Sequence, residues 1–306
     1  MKIFITGSNG FIGQHLLPLL QQRHTVVELV SDLRDHAKVV AELQAANPDI
    51  VVHLAARTEV EKSFYEQVTF SDINYVGSVN LIDAASKLSN LKNFVFASTM
   101  EVYGWQPISD EVRDHGKPLV SLAFDENTVP NPNAPYAVAK LAVEKYLEYA
   151  HRALGLPFTA LRQTNSYGRG DNDFFVTEQI VTQMLQGLDV VKLGYAEPYR
   201  NFIWIEDLLQ AWMQVIENPE QCNQGKIYTV GPDNPIKIRD YAEKIAGMIG
   251  WQGEIKWNTK PHRPGEIYWL NSGTTAITRD LGWRPVIDMD TGLEKTIKIW
   301  RQKFNK

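Results

Sequence analysis

The chain has 306 residues, 44% of them hydrophobic and 22% charged, which is enough apolar material for a large core in one α/β unit or two closely joined lobes. A formal net charge of -5 excludes a nucleic-acid surface built on bulk positive charge, because counterion release needs clustered lysines and arginines. The single cysteine, Cys222, excludes an internal disulfide and a thiol-rich metal site, so no metal is expected. Met1 leads straight into the apolar run Ile3 to Ile5 without a basic leader or a long apolar stretch, and this predicts a cytoplasmic protein with no membrane anchor.

Lys2 to Thr6 reads as a short buried strand, followed by a glycine-rich turn and an apolar-periodic helix from about Phe11 to Gln22. The alternation continues with a strand at Val26 to Val30, a helix at His36 to Ala46, a strand at Ile50 to Leu54, a helix from Asn74 to Ser86 and a strand at Phe94 to Ala97. Strands rich in Val, Ile and Phe, separated by helices, imply a parallel sheet covered on both faces. This is a doubly wound α/β pattern. Gly104 to Pro135, rich in proline and charge, reads as a long irregular connection, and loops of that length are often functional. A helix from Tyr136 to Leu154 and a strand at Phe158 to Leu161 follow. Beyond Gln163 the composition turns to Asn, Gly, Asp, Tyr and Trp, as expected of a smaller C-terminal lobe that grips a ligand. The expected division is residues 1–165 for the sheet and 166–306 for the substrate lobe, interleaved because the chain returns to the sheet near residues 201–230.

Gly7-Ser8-Asn9-Gly10-Phe11-Ile12-Gly13 places three glycines between the first strand and the first helix. Gly7 permits a tight turn, Gly10 lets backbone approach a diphosphate, and Gly13 lets the helix pack on the strand, with the helix N-terminus facing the anion. The spacing is G-x-x-G-x-x-G rather than G-x-G-x-x-G. An NAD site usually carries an acid at the end of the second strand to accept the ribose 2'-hydroxyl. Here that strand ends in Val30 and Ser31, with Glu28 inside it and Asp32 just beyond. Without a carboxylate at that point a 2'-phosphate is not repelled, and Arg34 is placed to attract it, so the reading leans toward NADP over NAD.

Tyr136-Ala-Val-Ala-Lys140 stacks a phenol and an ammonium on one helix face. A phenol titrates near ~10, so it handles protons at neutral pH only with help from a neighbouring positive charge, which Lys140 supplies. Ser98 and Thr99 stand at the carboxyl end of the Phe94 strand, where ligands sit in open α/β sheets. Thr99 is therefore placed to bond the same substrate oxygen as Tyr136. His53, on a buried strand, reads as a packed histidine with one hydrogen bond, and Asp207 as a residue that caps or orients the following helix.

These residues resemble the extended short-chain dehydrogenase/reductase family, specifically its NAD(P)-dependent nucleotide-sugar epimerase/dehydratase branch. The resemblance spans the chain through the glycine triplet, His53-Leu-Ala-Ala56, Asn74, Ser98-Thr-Met-Glu-Val-Tyr-Gly104, Tyr136/Lys140, Leu161-Arg-Gln-Thr-Asn-Ser-Tyr-Gly168, Arg200-Asn-Phe-Ile-Trp-Ile-Glu-Asp207, Arg263-Pro-Gly-Glu266 and Leu281-Gly-Trp-Arg-Pro285. It implies a Rossmann lobe, Tyr136 as acid/base, Lys140 on the nicotinamide ribose and Thr99 on the reacting hydroxyl. The cofactor set it implies is Gly7, Asn9, Gly10, Phe11, Ile12, Gly13, Ser31, Asp32, Leu33, Leu54, Ala55, Ala56, Asn74, Ala97, Ser98, Tyr136 and Lys140. The substrate set is Thr99, Met100, Glu101, Asn165, Arg200 and Arg263, the two arginines on a nucleotide diphosphate, for which guanidinium forks are suited. A homodimer built on the Asn74 and Tyr136 helices is also implied.

One departure bears on the reaction. The dehydratases of this family carry Asp and Glu after the Thr, whereas Met100 stands in the Asp place and a thioether donates no proton. Two enzymatic readings remain, a reductase of a nucleotide 4-ketosugar, placed first, and a nucleotide-hexose 4-epimerase holding its NAD tightly. A non-enzymatic alternative is a nicotinamide-sensing binding protein.

Overall fold

A computed structural model describes residues 1–261 and 263–304. Six parallel strands form the central sheet: β1 (Lys2–Thr6), β2 (Thr25–Glu28), β3 (Ile50–His53), β4 (Asn93–Thr99), β5 (Phe158–Gln163) and β6 (Gln224–Val230), in the order β6-β5-β4-β3-β1-β2. β1 is flanked by β2 on one side and β3 on the other, so the winding reverses there and a crevice opens at the carboxyl ends of these strands.

The period of two along each strand sorts side chains onto two faces. Ile3, Ile5, Val52, Val95 and Leu161 join one apolar cluster with Leu16 and Leu20 of helix α1 (Phe11–Gln21). Phe4, Val51, Phe94, Phe96 and Phe158 join another with Val39 and Leu43 of α2 (His36–Ala46), Leu81 and Ile82 of α3 (Gly77–Ala85), and Val143 and Leu147 of α4 (Pro135–Leu154). All seven residues of β4 are buried, as a central strand covered twice requires. The first cluster continues into the C-terminal part of the chain through Tyr167, Ile180, Trp204 and Trp212, so the sheet and the C-terminal lobe share one core. That lobe is built on paired short strands, Asn165–Tyr167 with Phe202–Trp204, Tyr199–Arg200 with Ile236–Lys237, and Val190–Lys192 with Glu254–Lys256.

Several local expectations are corrected. β2 stops at Glu28 rather than Val30, because the Glu42 carboxylate of α2 accepts the Val30 and Ser31 N–H groups at 2.9 and 3.0 Å. The expected irregular connection after Gly104 contains a helix, Pro107–His115, started by a proline at its first turn and stopped by Gly116 with φ 71°. Its Ile108 and Val112 pack on Met100, Tyr103 and Trp269. Helix α3 is preceded without a break by a π-helical turn, Asp72–Val76, and the helix Gln67–Ser71.

Phe94→Ala is expected to cost about 3–5 kcal/mol, since it empties a fully buried position, while Val30→Ala at a 90% exposed site changes stability by less than about 0.5 kcal/mol. Urea unfolding of the two variants against the parent checks the difference.

Candidate active site

The carboxyl ends of β1, β3 and β4 open into a cavity of about 450 Å³, closed on its other side by the C-terminal lobe. The glycine turn lies at its base. Gly7 has φ 75°, and a side chain there would strike Ala55 N at 2.5 Å, while a Cβ on Gly13 would come within 2.3 Å of Gly7 O. Gly10 is the N-cap of α1; no side chain caps the helix and its first turn holds no acid. A Cβ on Gly10 would meet only Gly7 O, at 3.3 Å, so this glycine is needed for what lies above it. The uncapped N–H groups and bare backbone fit the diphosphate of a dinucleotide, as helix N-termini favour anions.

Thr99, Tyr136 and Lys140 line the same cavity. Tyr136 enters in the first turn of α4, and its phenol lines the cavity together with the Thr99 hydroxyl, which itself accepts from the Glu101 N–H at 3.2 Å. Burial pushes that phenol above its ordinary range, partly offset by Thr99. Lys140, one turn further along, donates from Nζ to Ala97 O at 2.7 Å and lies 4.7 Å from the centre of the Phe96 ring. Burial drives its amine down from 10.5 to about 7, against the opposing field of Glu144.

Glu101 also lines the wall, and burial raises its carboxyl despite Arg200 and Arg263 nearby. Arg200 is held by Glu266 at 2.9 Å and by Tyr199 O at 2.9 Å. Arg263, on the mouth of the cavity, lies 3.7 Å from Glu61, beside Lys260 at 3.8 Å from the same carboxylate. Asn165 donates to Asn201 O at 3.3 Å with its side chain in the wall.

The other cofactor positions divide. Phe11, Ile12, Leu54, Ala56, Ala97 and Ser98 line the cavity with the glycines. Asn9, at the exposed tip of the turn, accepts from Gln14, and Ala55 lies beneath Gly7. Ser31, Asp32 and Leu33 lie outside the described wall: the Ser31 N–H is taken by Glu42, Leu33 is buried, and Asp32 pairs with Arg34 at 2.6 Å, which holds its carboxyl down to about 2. Arg34, read either as a group that attracts a 2'-phosphate or as a plain solvated charge, is engaged by Asp32 and also by Asp72 at 3.4 Å.

Met100, expected on the substrate, is instead packed at 1% exposure among Tyr103, Ile108 and Trp269, because the 3-10 turn Met100–Tyr103 that follows Thr99 aims it into that cluster. Asn74, expected on the cofactor, clamps the main chain of Arg57 through two bonds of 2.8 and 2.9 Å. His53 makes two hydrogen bonds rather than one, to Thr6 and Ser78, and burial lowers its imidazole to about 3. Asp207 caps no helix; it accepts the Val286 and Ile287 N–H groups at 3.1 and 2.8 Å and so ties down the Trp283-Arg-Pro285 segment.

Among the wall residues that the sequence reading did not name are Arg169 and Glu266. Arg169 is buried between the Phe11 and Phe175 rings, 4.0 and 3.9 Å from their centres, and only its place after the Tyr167-Gly168 pair hinted at it. Glu266 was visible as the last letter of Arg263-Pro-Gly-Glu266, but its pairing with Arg200 was not.

Residues 3–231 match the family model described as the NAD dependent epimerase/dehydratase family. The chain belongs to that family. Its members include nucleotide-sugar reductases, dehydratases and epimerases. The chain is 28% identical to the GDP-6-deoxy-D-mannose reductase of Pseudomonas aeruginosa, over 100% of this chain and 99% of that one. Among solved structures it is similar to a Thermus thermophilus UDP-glucose 4-epimerase in complex with NAD, with a TM-score of 0.84, 25% identity and coverage of 98% and 99%. It is equally similar to the Pseudomonas aeruginosa protein RMD in complex with NADPH, with a TM-score of 0.83, 26% identity and 99% of each chain covered. Among the described residues no helix is long and apolar enough to cross a membrane, and no cluster of three or more His, Cys, Asp or Glu is arranged to hold a metal ion.

Between about pH 7 and 10.5 the folded chain holds fewer protons on Lys140 than the unfolded chain, so the cost of its buried charge is full below pH 7 and fades as pH rises through that window. Lys140→Met is therefore expected to raise Tm at pH 6, with the gain shrinking toward pH 10. Thermal melts of both proteins across that range check the sign.

Proposed function

We propose that the chain reduces the 4-keto group of a nucleotide-diphosphate sugar, with Tyr136 delivering the proton to the sugar oxygen. The observation that carries this reading is the pairing of a buried phenol at the cavity wall with a Met100 that is turned into the core. A phenol pushed above its ordinary range keeps its proton at neutral pH, which is the state a donor needs. Water elimination would need an acid at the position of Met100, and none stands there. A bound nicotinamide would supply the hydride. Thr99 would orient the sugar oxygen, and Lys140 would hold the cofactor ribose and favour the phenolate left after proton transfer. Arg200, Arg263 and Asn165 would hold the diphosphate and nucleotide end, because they line the same cavity as Tyr136 and guanidinium forks suit phosphate oxygens.

For the cofactor we favour NADP(H). Arg34 is half exposed just beyond β2, and the RMD relative carries NADPH. Asp32, ionised 2.6 Å from that guanidinium, is the group a 2'-phosphate would have to replace.

The test is an absorbance assay at 340 nm with GDP-, dTDP-, UDP- and CDP-linked 4-ketosugars and both reduced cofactors. Turnover with added reduced cofactor is the expected result, and Tyr136→Phe should lower kcat by about 10²–10⁴-fold while cofactor affinity stays nearly unchanged. Interconversion of a nucleotide hexose at C4 without added reductant would turn the reading to a 4-epimerase with retained NAD. Equal signals from parent and Tyr136→Phe would turn it to a nicotinamide-sensing protein.

A homodimer is part of the proposal. Val68 and Val76 on the helical stretch leading into α3, and Val138 and Tyr149 on the neighbouring α4, are exposed apolar side chains on adjoining helices. Light scattering should give twice the 34.8 kDa chain mass, and Val68→Asp combined with Tyr149→Asp should give the single-chain value.

A further inference from the structure

Two consecutive residues of β4 are held by α4, and a third faces it. Ala97 offers its carbonyl to Lys140, Ser98 donates its hydroxyl to Glu144, and Thr99 lines the cavity beside Tyr136. Residues 136, 140 and 144 rise one turn at a time on a single helix face. Glu144 is fully buried and Arg162 is 2% exposed. Arg162 stands opposite Ser98 in the β4–β5 register and grips the Glu144 carboxylate through Nη2 at 2.7 Å and Nε at 3.1 Å. Its Nη1 donates to the Tyr103 hydroxyl at 3.2 Å, which in turn donates to Asp125 O at 2.8 Å. A buried ion pair of this kind contributes little net stability over well-packed apolar side chains, so folding alone does not account for it.

We infer that Glu144 is a positioning residue. Fixed by Arg162 and Ser98, it sets the height of α4 against the end of β4 and presents a negative charge to Lys140 from one helical turn away. The inference rests on the reading of Tyr136 and Lys140 as the proton-handling pair. The other titratable or charged groups about Lys140 are Tyr136 one turn back on its own helix, His53 on β3, which burial keeps neutral, and Arg162 on β5, which is held against Glu144. The Glu144 carboxylate is the group whose field opposes the loss of the Lys140 proton.

The decisive measurement does not need the substrate. Lysines labelled at Cε are titrated by NMR, with the Lys140 resonance assigned by its absence from Lys140→Met. Glu144→Gln should lower the Lys140 midpoint by about one pH unit, a tenfold loss of proton affinity, since it removes the carboxylate and leaves the Arg162 cation. In the ketosugar assay the same variant should lower kcat by about 10–100-fold with KM within about threefold, and move the alkaline limb of the kcat profile to lower pH by the same amount. An unchanged Lys140 midpoint in a folded Glu144→Gln overturns the inference. Should that variant not fold, Ser98→Ala keeps both charges and decides the matter: a severalfold fall in kcat at constant KM supports positioning, and parental kcat reduces the pair to a structural tie. Failure of the parent to act on any nucleotide sugar would sink the functional reading, while the NMR titration would still decide the role of Glu144.

Discussion

Burial of the Lys140 amine under the carboxyl end of β4 is the constraint on which the site depends. An ammonium in a dry interior is tolerated only where carbonyl, ring face and countercharge meet it, and Ala97, Phe96 and Glu144 provide one of each. Those contacts fix how α4 lies on the sheet. With α4 fixed, the phenol one turn before Lys140 has a single place to go, beside Thr99 and facing the cavity. The same burial keeps the phenol protonated and leaves the amine close to neutrality, so one desolvated volume sets the charge of both groups.

The glycine turn solves a different problem with the same economy of space. Gly7 and Gly13 bring α1 so close to β1 and β3 that no side chain fits between them. That proximity puts the bare N-terminus of α1 at the crevice where the sheet winding reverses. A dinucleotide laid across the crevice would have its diphosphate at α1 and its far end at β4, where Lys140 and Tyr136 wait. The distance between the two ends is set by β3 alone, the strand lying between β1 and β4 in the sheet.

Much of this was legible in the letters, and the reasons for the exceptions are physical. Strands β1, β3, β4 and β5 were visible because sheets covered on both faces need unbroken apolar runs. The Tyr136/Lys140 pair was visible because a helix of known period puts positions four apart on one face. The end of β2 was not, because a carboxylate from α2, Glu42, takes the N–H groups that would have continued the strand. The helix Pro107–His115 escaped because only Ile108 and Val112 mark its buried side, and their partners Tyr103 and Trp269 are distant in sequence. Met100 was placed on the substrate by its position in a motif, whereas the 3-10 turn that redirects it is a property of the backbone. Arg169 and Glu266 belong to the same class, since each acquires meaning only from partners that folding brings to it.

The shared core also limits how the site can open. Sheet and C-terminal lobe are joined through one apolar cluster running from Ile3 to Trp300, and separating them would expose it, so a hinge between rigid lobes is disfavoured. At the mouth, Glu61 faces Lys260 and Arg263 at 3.8 and 3.7 Å, with all three side chains roughly one-third exposed or more. Ion pairs of that length and exposure hold weakly. An arriving diphosphate would carry more negative charge than Glu61 and could bond the guanidinium bidentately, so capture would proceed by exchange of partners at cations already gathered, without assembling the site anew.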